Sequence, residues 1–238
     1  MSSQGSNAVV KMKSNKRATN YKGADKKQEI AIVPKNENQR LYLEALHNSP
    51  QVISMGPAGT GKTFLVASHA ANRYQTKMID KIIITRPHVA VGKELGFLKG
   101  GLEEKTLPWA LPVLDVLQQR LGKGTVDTAI KNGNIEVAPM AMMRGRSFDN
   151  AYIIIDEAQN MTVAELKMVV TRVGENCTIV INGDIKQSDI RETSGLAKAV
   201  HLVKKYNMDA PVIEFGIDDI VRSDVCKQWI IAFDAEGL

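Results

Sequence analysis

The chain reads as α/β, with a mostly parallel sheet and helices on both faces. Three observations predict this. Short, continuous apolar runs alternate with stretches of helical periodicity, the pattern of repeated strand–helix units. One apolar run enters a glycine-rich loop that opens a helix. Two further runs end in polar or acidic turns, as buried central strands do where they leave the sheet. Strands are expected near 51–55, 81–85, 135–138, 152–156, 178–182 and 211–215. Helices are expected near 36–47, 62–75, 107–121, 162–172, 194–206 and 219–233. With 238 residues, 44% of them hydrophobic, the chain can bury one full core, so residues 31–238 are expected to form one domain.

The first helix, from Asn36, places its apolar positions at helical spacing and carries Gln39 near its start. A Gln amide offers both a donor and an acceptor, as an adenine edge requires, but the same residue serves equally well on a solvated surface. The first strand then runs into Gly56-Pro57-Ala58-Gly59-Thr60-Gly61-Lys62-Thr63, which fits the phosphate-binding pattern G-x-x-x-x-G-K-[ST]. Glycines let backbone amides approach a phosphate chain, and the following helix N-terminus adds partial positive charge. Lys62 can reach β- and γ-phosphates, and the Thr63 hydroxyl can ligate Mg²⁺.

Tyr152-Ile153-Ile154-Ile155 ends in Asp156-Glu157. Ligands of open α/β sheets sit at the carboxyl ends of strands, so Asp156 is expected beside the metal. Glu157 is expected to act as general base on a water in line with the γ-phosphate. The next run, Thr178 to Ile181, ends in Asn182-Gly183-Asp184, with Gln187 shortly after. A polar group there can sense the γ-phosphate, although Asp184 and Gln187 also suit simple turn chemistry around Gly183.

Charge is uneven. Residues 1–30 carry seven basic and two acidic side chains, a net of +5, while the whole chain has 31 basic and 26 acidic residues. The excess therefore lies in the tail, which is expected to be disordered and to serve either as an arm for polynucleotide phosphates or as a solubilising terminus. Arg86, Lys93, Lys99, Lys105, Arg144 and Arg146 are candidates to line a polynucleotide path. Aromatics are only 5% of the chain, so stacking platforms are scarce, and Trp109 and Trp229 are expected to pack within helices. No apolar run approaches a membrane span and no signal peptide is visible. Cys177 and Cys226 lack metal-ligand spacing and are expected to be reduced, in a cytoplasmic setting.

Taken in order, these motifs resemble the PhoH family of ATPases, whose nucleotide core is RecA-like and similar to that of superfamily 1 helicases. The resemblance runs from about Asn36 to Asp234. It rests on the Gln39 segment, Gly56 to Thr63, Thr85-Arg86-Pro87, Leu95-Gly96-Phe97-Leu98 and Met143-Arg144-Gly145-Arg146. It continues through Asp156-Glu157-Ala158-Gln159-Asn160, Thr171-Arg172-Val173-Gly174, Gly183-Asp184 with Gln187, and Asp219-Ile220-Val221-Arg222. Lys99 departs from the proline usual in such proteins. The resemblance implies a P-loop NTPase using ATP and Mg²⁺, with Gln39 on adenine, Glu157 as base, Gln187 as γ-phosphate sensor and Arg222 as an arginine finger. It also implies coupling to single-stranded RNA or DNA, with a nucleotide-switched binding or assembly module as the alternative. A superfamily 1 helicase needs two such cores and this chain has room for one. A homo-oligomer is therefore expected, such as a hexameric ring in which Arg222 or a basic loop residue reaches the neighbour's ATP. Arg222 could instead pair with Asp218 or Asp219.

Overall fold

The structure of the protein is a computed structural model that describes residues 29–87, 102–190 and 192–236. Six strands form one parallel sheet: β1 Gln51–Met55, β2 Lys81–Thr85, β3 Ile135–Val137, β4 Ala151–Ile155, β5 Thr178–Gly183 and β6 Val212–Glu214. Their spatial order is β3-β2-β4-β5-β1-β6. Seven helices connect or flank them: α1 Glu37–Asn48, α2 Lys62–Gln75, α3 Leu102–Leu121, α4 Lys123–Lys131, α5 Val163–Val170, α6 Gly195–Tyr206 and α7 Asp224–Glu236.

Alternation along each strand builds two cores. Ile82, Ile84, Tyr152, Ile154 and Val180 face one side, where side chains of α1 to α4 cover them. Ile83, Ile153, Ile155, Ile179 and Ile181 face the other, against α5, α6 and the turn at Met140–Met143. A strand buried on both faces needs apolar residues at consecutive positions, which is why these runs lack polar alternation.

Local chemistry sets the helix starts. The Asn36 side chain accepts the Gln39 N–H at 2.8 Å and caps α1. Thr162 and Glu165 form a reciprocal capping box on α5. Beneath the glycine loop, Tyr42 and Ser54 both donate to Asn182 Oδ1 at 2.7 Å, tying α1 to β1 and β5 through a buried network.

All six strands lie where the sequence places them, within a residue or two. Three helical expectations differ. The sequence pattern does not predict α4: its nine residues bury only Val126 and Ala129, too few for a visible periodicity. α3 begins at Leu102 rather than 107 and contains Pro108 and Pro112. α7 begins at Asp224 rather than 219, because the preceding residues are committed elsewhere. The Asp219 carboxylate accepts the Gly216 N–H at 2.8 Å, and the Val221 N–H donates to Gly59 O at 3.0 Å, so this segment becomes a short turn and a strap.

Trp109 packs on the core as expected. Trp229 does not: it is 61% exposed and stacks on Phe233 instead. Of the basic tail, residues 1–28 lie outside the described residues. Ile30 exchanges two backbone hydrogen bonds with the Asn72 side chain, which ties this segment to α2. Among the described residues no helix is long and apolar enough to cross a membrane.

Candidate nucleotide-binding site

The site forms at the carboxyl ends of β1, β5 and β4. β5, with its polar turn, is inserted between the strand that feeds the glycine loop and the strand that ends in Asp156-Glu157. The loop is fastened to this edge by the Gly56 N–H, which donates to Gly183 O at 3.1 Å.

Lys62 opens α2 and folds back over the loop. Its ammonium donates to Gly56 O at 2.6 Å, Pro57 O at 2.9 Å and Thr60 Oγ1 at 3.3 Å. Burial lowers its pKa, against the nearby carboxylates of Asp184, Asp156 and Glu157. Thr63 Oγ1 lies 3.4 Å from each Asp156 carboxylate oxygen. Desolvation, reinforced by the Glu157 charge, pushes the Asp156 carboxyl up to about 6, although part of the residue remains accessible. The Asp156 carboxylate and the Thr63 hydroxyl form a pair of hard oxygen groups at the end of β4 and the start of α2. These residues fit a magnesium ion.

Glu157 has φ 54° and ψ 40°, the left-handed region that a non-glycine residue occupies at a cost of about 1–2 kcal/mol. The next residues hold it there. Gln159 Nε2 donates to Glu157 Oε2 at 2.6 Å, while Gln159 Oε1 accepts the Asp184 N–H at 3.0 Å. Asn160 is paired with Asp189 through both ends of its amide. Gly183 permits this arrangement, since a Cβ there would lie 2.6 Å from Gln159 Oε1. The acidic segment and the Asp184–Asp189 loop are thus one hydrogen-bonded unit. Gln159 is the residue that sequence reasoning missed. It belongs to a motif the sequence displays, but its partner is 25 residues away.

Asp184 does turn chemistry: its side chain accepts the Lys186 N–H at 3.1 Å and caps the turn at Ile185–Gln187. Gln187 lines a groove of roughly 960 Å³ together with Gly56, Pro57, Arg86 and Glu157. On the other side of the loop is a cleft of roughly 470 Å³, bordered by Gln39, Gly61, Phe64, Val116 and Arg222. Gln39 is 3% exposed. It donates to Thr60 O at 2.9 Å and accepts the Lys35 N–H at 2.8 Å, leaving one N–H and one lone pair of its amide.

Arg222 lies against its own chain's loop. Gly59 has φ +85°, and a Cβ there would sit 2.7 Å from Arg222 Cγ. Arg222 is exposed and borders the cleft of its own chain, next to the strap. The strap is anchored by Asp219, which pairs with Asn38 rather than with Arg222.

The basic candidates separate as well. Arg146 makes a two-pronged ion pair with Glu136, at 2.5 and 2.7 Å, and covers the Phe148 ring. This pairing holds the Glu136 carboxyl below its usual range and makes Arg146 a fastener between β3 and its following turn. Arg144 is exposed. Lys93, Lys99 and the Leu95-Gly96-Phe97-Leu98 motif lie outside the described residues, as does the side chain of Lys105.

A glycine loop heading α2, with an acidic strand end one strand removed, defines a nucleotide-binding protein of the P-loop type. The chain belongs to the PhoH-like protein family, whose pattern it matches over residues 31–234. It is 41% identical over 213 residues to Protein PhoH of Escherichia coli (strain K12), a match covering 88% of this chain and 60% of that protein. It is 41% identical over 209 residues to the PhoH-like protein of Bacillus subtilis (strain 168), covering 87% and 65%. The chain thus spans about 60–65% of the length of these relatives. Among solved structures, the large terminase from a thermophilic bacteriophage superposes with a TM-score of 0.52 at 11% identity, covering 83% of this chain and 50% of that one. That likeness is one of fold alone.

Proposed function

We propose that the chain is a Mg²⁺-dependent ATP hydrolase whose turnover is coupled to single-stranded RNA or DNA. The observation that carries hydrolysis is the placement of Glu157, strained and held by Gln159, in the groove that Gly56 and Pro57 of the phosphate loop also line. The triphosphate lies along the loop, with its base toward the cleft and its terminal phosphate toward the groove. Lys62 exchanges the loop carbonyls for phosphate oxygens. Thr63 and Asp156 would hold Mg²⁺, which would supply positive charge against the phosphates. Water oriented by Glu157 attacks the γ-phosphorus, its proton passes to the carboxylate, and the bond to the bridging oxygen breaks to release ADP and inorganic phosphate. Gln187 borders the terminal phosphate, and the unused donor and acceptor of Gln39 face the base.

Coupling to polynucleotide is supported by the concentration of positive charge in residues 1–30 and by exposed Arg144. ATP turnover should rise when single-stranded RNA or DNA is titrated in, and the rise should fade with salt. Unchanged turnover over a full titration would remove that coupling.

A second reading, a nucleotide-switched assembly module, is favoured by α7. None of its described residues is buried, and Val225, Trp229, Ile231 and Phe233 are all more than 40% exposed. It follows directly on the strap that binds Gly59, and Phe233 reaches the terminal-phosphate groove. Sedimentation velocity with and without MgATP separates the readings. A nucleotide-dependent change in size, with turnover indifferent to polynucleotide, selects the module.

A further inference from the structure

We propose that Arg86 is the cation that meets the γ-phosphate, and that it comes from the same chain that binds the nucleotide. This assignment rests on the ATPase reading above.

Backbone geometry places Arg86. It is the first residue beyond β2, and β2 pairs with β4 so that Thr85 lies opposite Ile155. Thr85 O accepts the Asp156 N–H at 3.1 Å, continuing the ladder to the acidic pair. Arg86 therefore leaves the sheet beside Asp156 and Glu157. Its side chain borders the same groove as Gly56, Pro57, Glu157 and Gln187, and its positive charge favours the ionised form of Asp156.

Lys186 borders the same groove but lacks a guanidinium's fixed fork of donors, and three further cations have other commitments. Lys62 serves the loop itself. Arg146 is paired with Glu136. Arg222 borders the cleft on the far side of the loop, against Gly59. The two arginines, Arg86 and Arg222, thus stand at opposite ends of the path a nucleotide would take. Among the described residues no hydrogen bond or salt bridge engages the Arg86 guanidinium. A planar fork of donors matches two oxygens of a phosphoryl group, and it acts most where negative charge spreads over those oxygens in the transition state. Such a cation contributes roughly 10³–10⁵ in rate where it has been measured. Supplied in cis, it lets one chain turn over without a neighbour.

The test uses the full chain and Arg86→Ala, with Arg86→Lys beside it to keep the charge while losing the fork. In Arg86→Ala, kcat should fall at least about 100-fold. Affinity for MgADP should stay within about threefold, while affinity for ADP with aluminium fluoride falls as kcat does. Arg86→Lys should lie between the two, and it carries the same comparison if the alanine variant does not fold. Polynucleotide binding without nucleotide should match wild type in both. Mixing Arg86→Ala chains with Lys62→Ala chains, which retain Arg86, should restore nothing.

Wild-type kcat in Arg86→Ala overturns the assignment. So does lost polynucleotide binding with basal turnover intact, which would make Arg86 a nucleic-acid contact. Activity restored by mixing overturns the cis placement. A wild-type chain that takes up no ATP overturns the ATPase reading, and this assignment with it.

Discussion

Glu157→Gln should retain ATP and slow its hydrolysis by roughly 10²–10⁴-fold, the range attributed to a general base. The substitution keeps the shape of the side chain, and Gln159 Nε2 can still donate to the oxygen it now meets at 2.6 Å. The left-handed backbone at this position is held by the surrounding turn and not by the charge, so the site stays assembled. What is lost is a group able to take a proton from water. Equilibrium binding of radiolabelled ATP together with single-turnover hydrolysis separates the two effects. A variant that binds ATP and hydrolyses it at the wild-type rate would exclude Glu157 as base. Loss of ATP binding would give it a structural role instead.

Lys62→Ala should lower kcat/KM by roughly 10³-fold or more. Two contributions multiply. A charge-assisted hydrogen bond contributes about 1.5–3 kcal/mol to binding, and electrostatic stabilisation of the transition state adds a further loss of about 10²-fold or more. The ammonium also ties Gly56 O, Pro57 O and Thr60 Oγ1 together, so the variant loop should be less ordered even without nucleotide. Calorimetric titration with MgADP isolates the binding component, and steady-state kinetics give the product of the two. Undiminished MgADP affinity would place Lys62 away from the phosphates.

These expectations depend on residues that were unequally visible in the amino-acid order. The phosphate loop was legible because its function needs consecutive residues: glycines, a lysine and a hydroxyl residue at fixed spacing. Asp156 and Glu157 were legible because a buried strand ending in carboxylates is a local pattern. The six strands were legible for a related reason, since a strand covered on both faces must be apolar throughout. The start of α7 was not. Nothing between 219 and 223 forbids a helix; contacts with Gly59, Gly216 and Asn38 outcompete it.

By itself, the order of residues determined the fold class, the phosphate loop and the acidic pair, because each is written in neighbouring positions and follows from backbone and side-chain chemistry within a few residues. Tertiary structure alone decided which distant groups meet. It set Gln159 between Glu157 and Asp184, committed Arg146 to Glu136, laid Arg222 on its own loop, brought Arg86 into the groove and left Trp229 in solvent. Each of those outcomes depends on strand order and on how chain segments far apart in sequence compete for the same partners, and no local pattern encodes that.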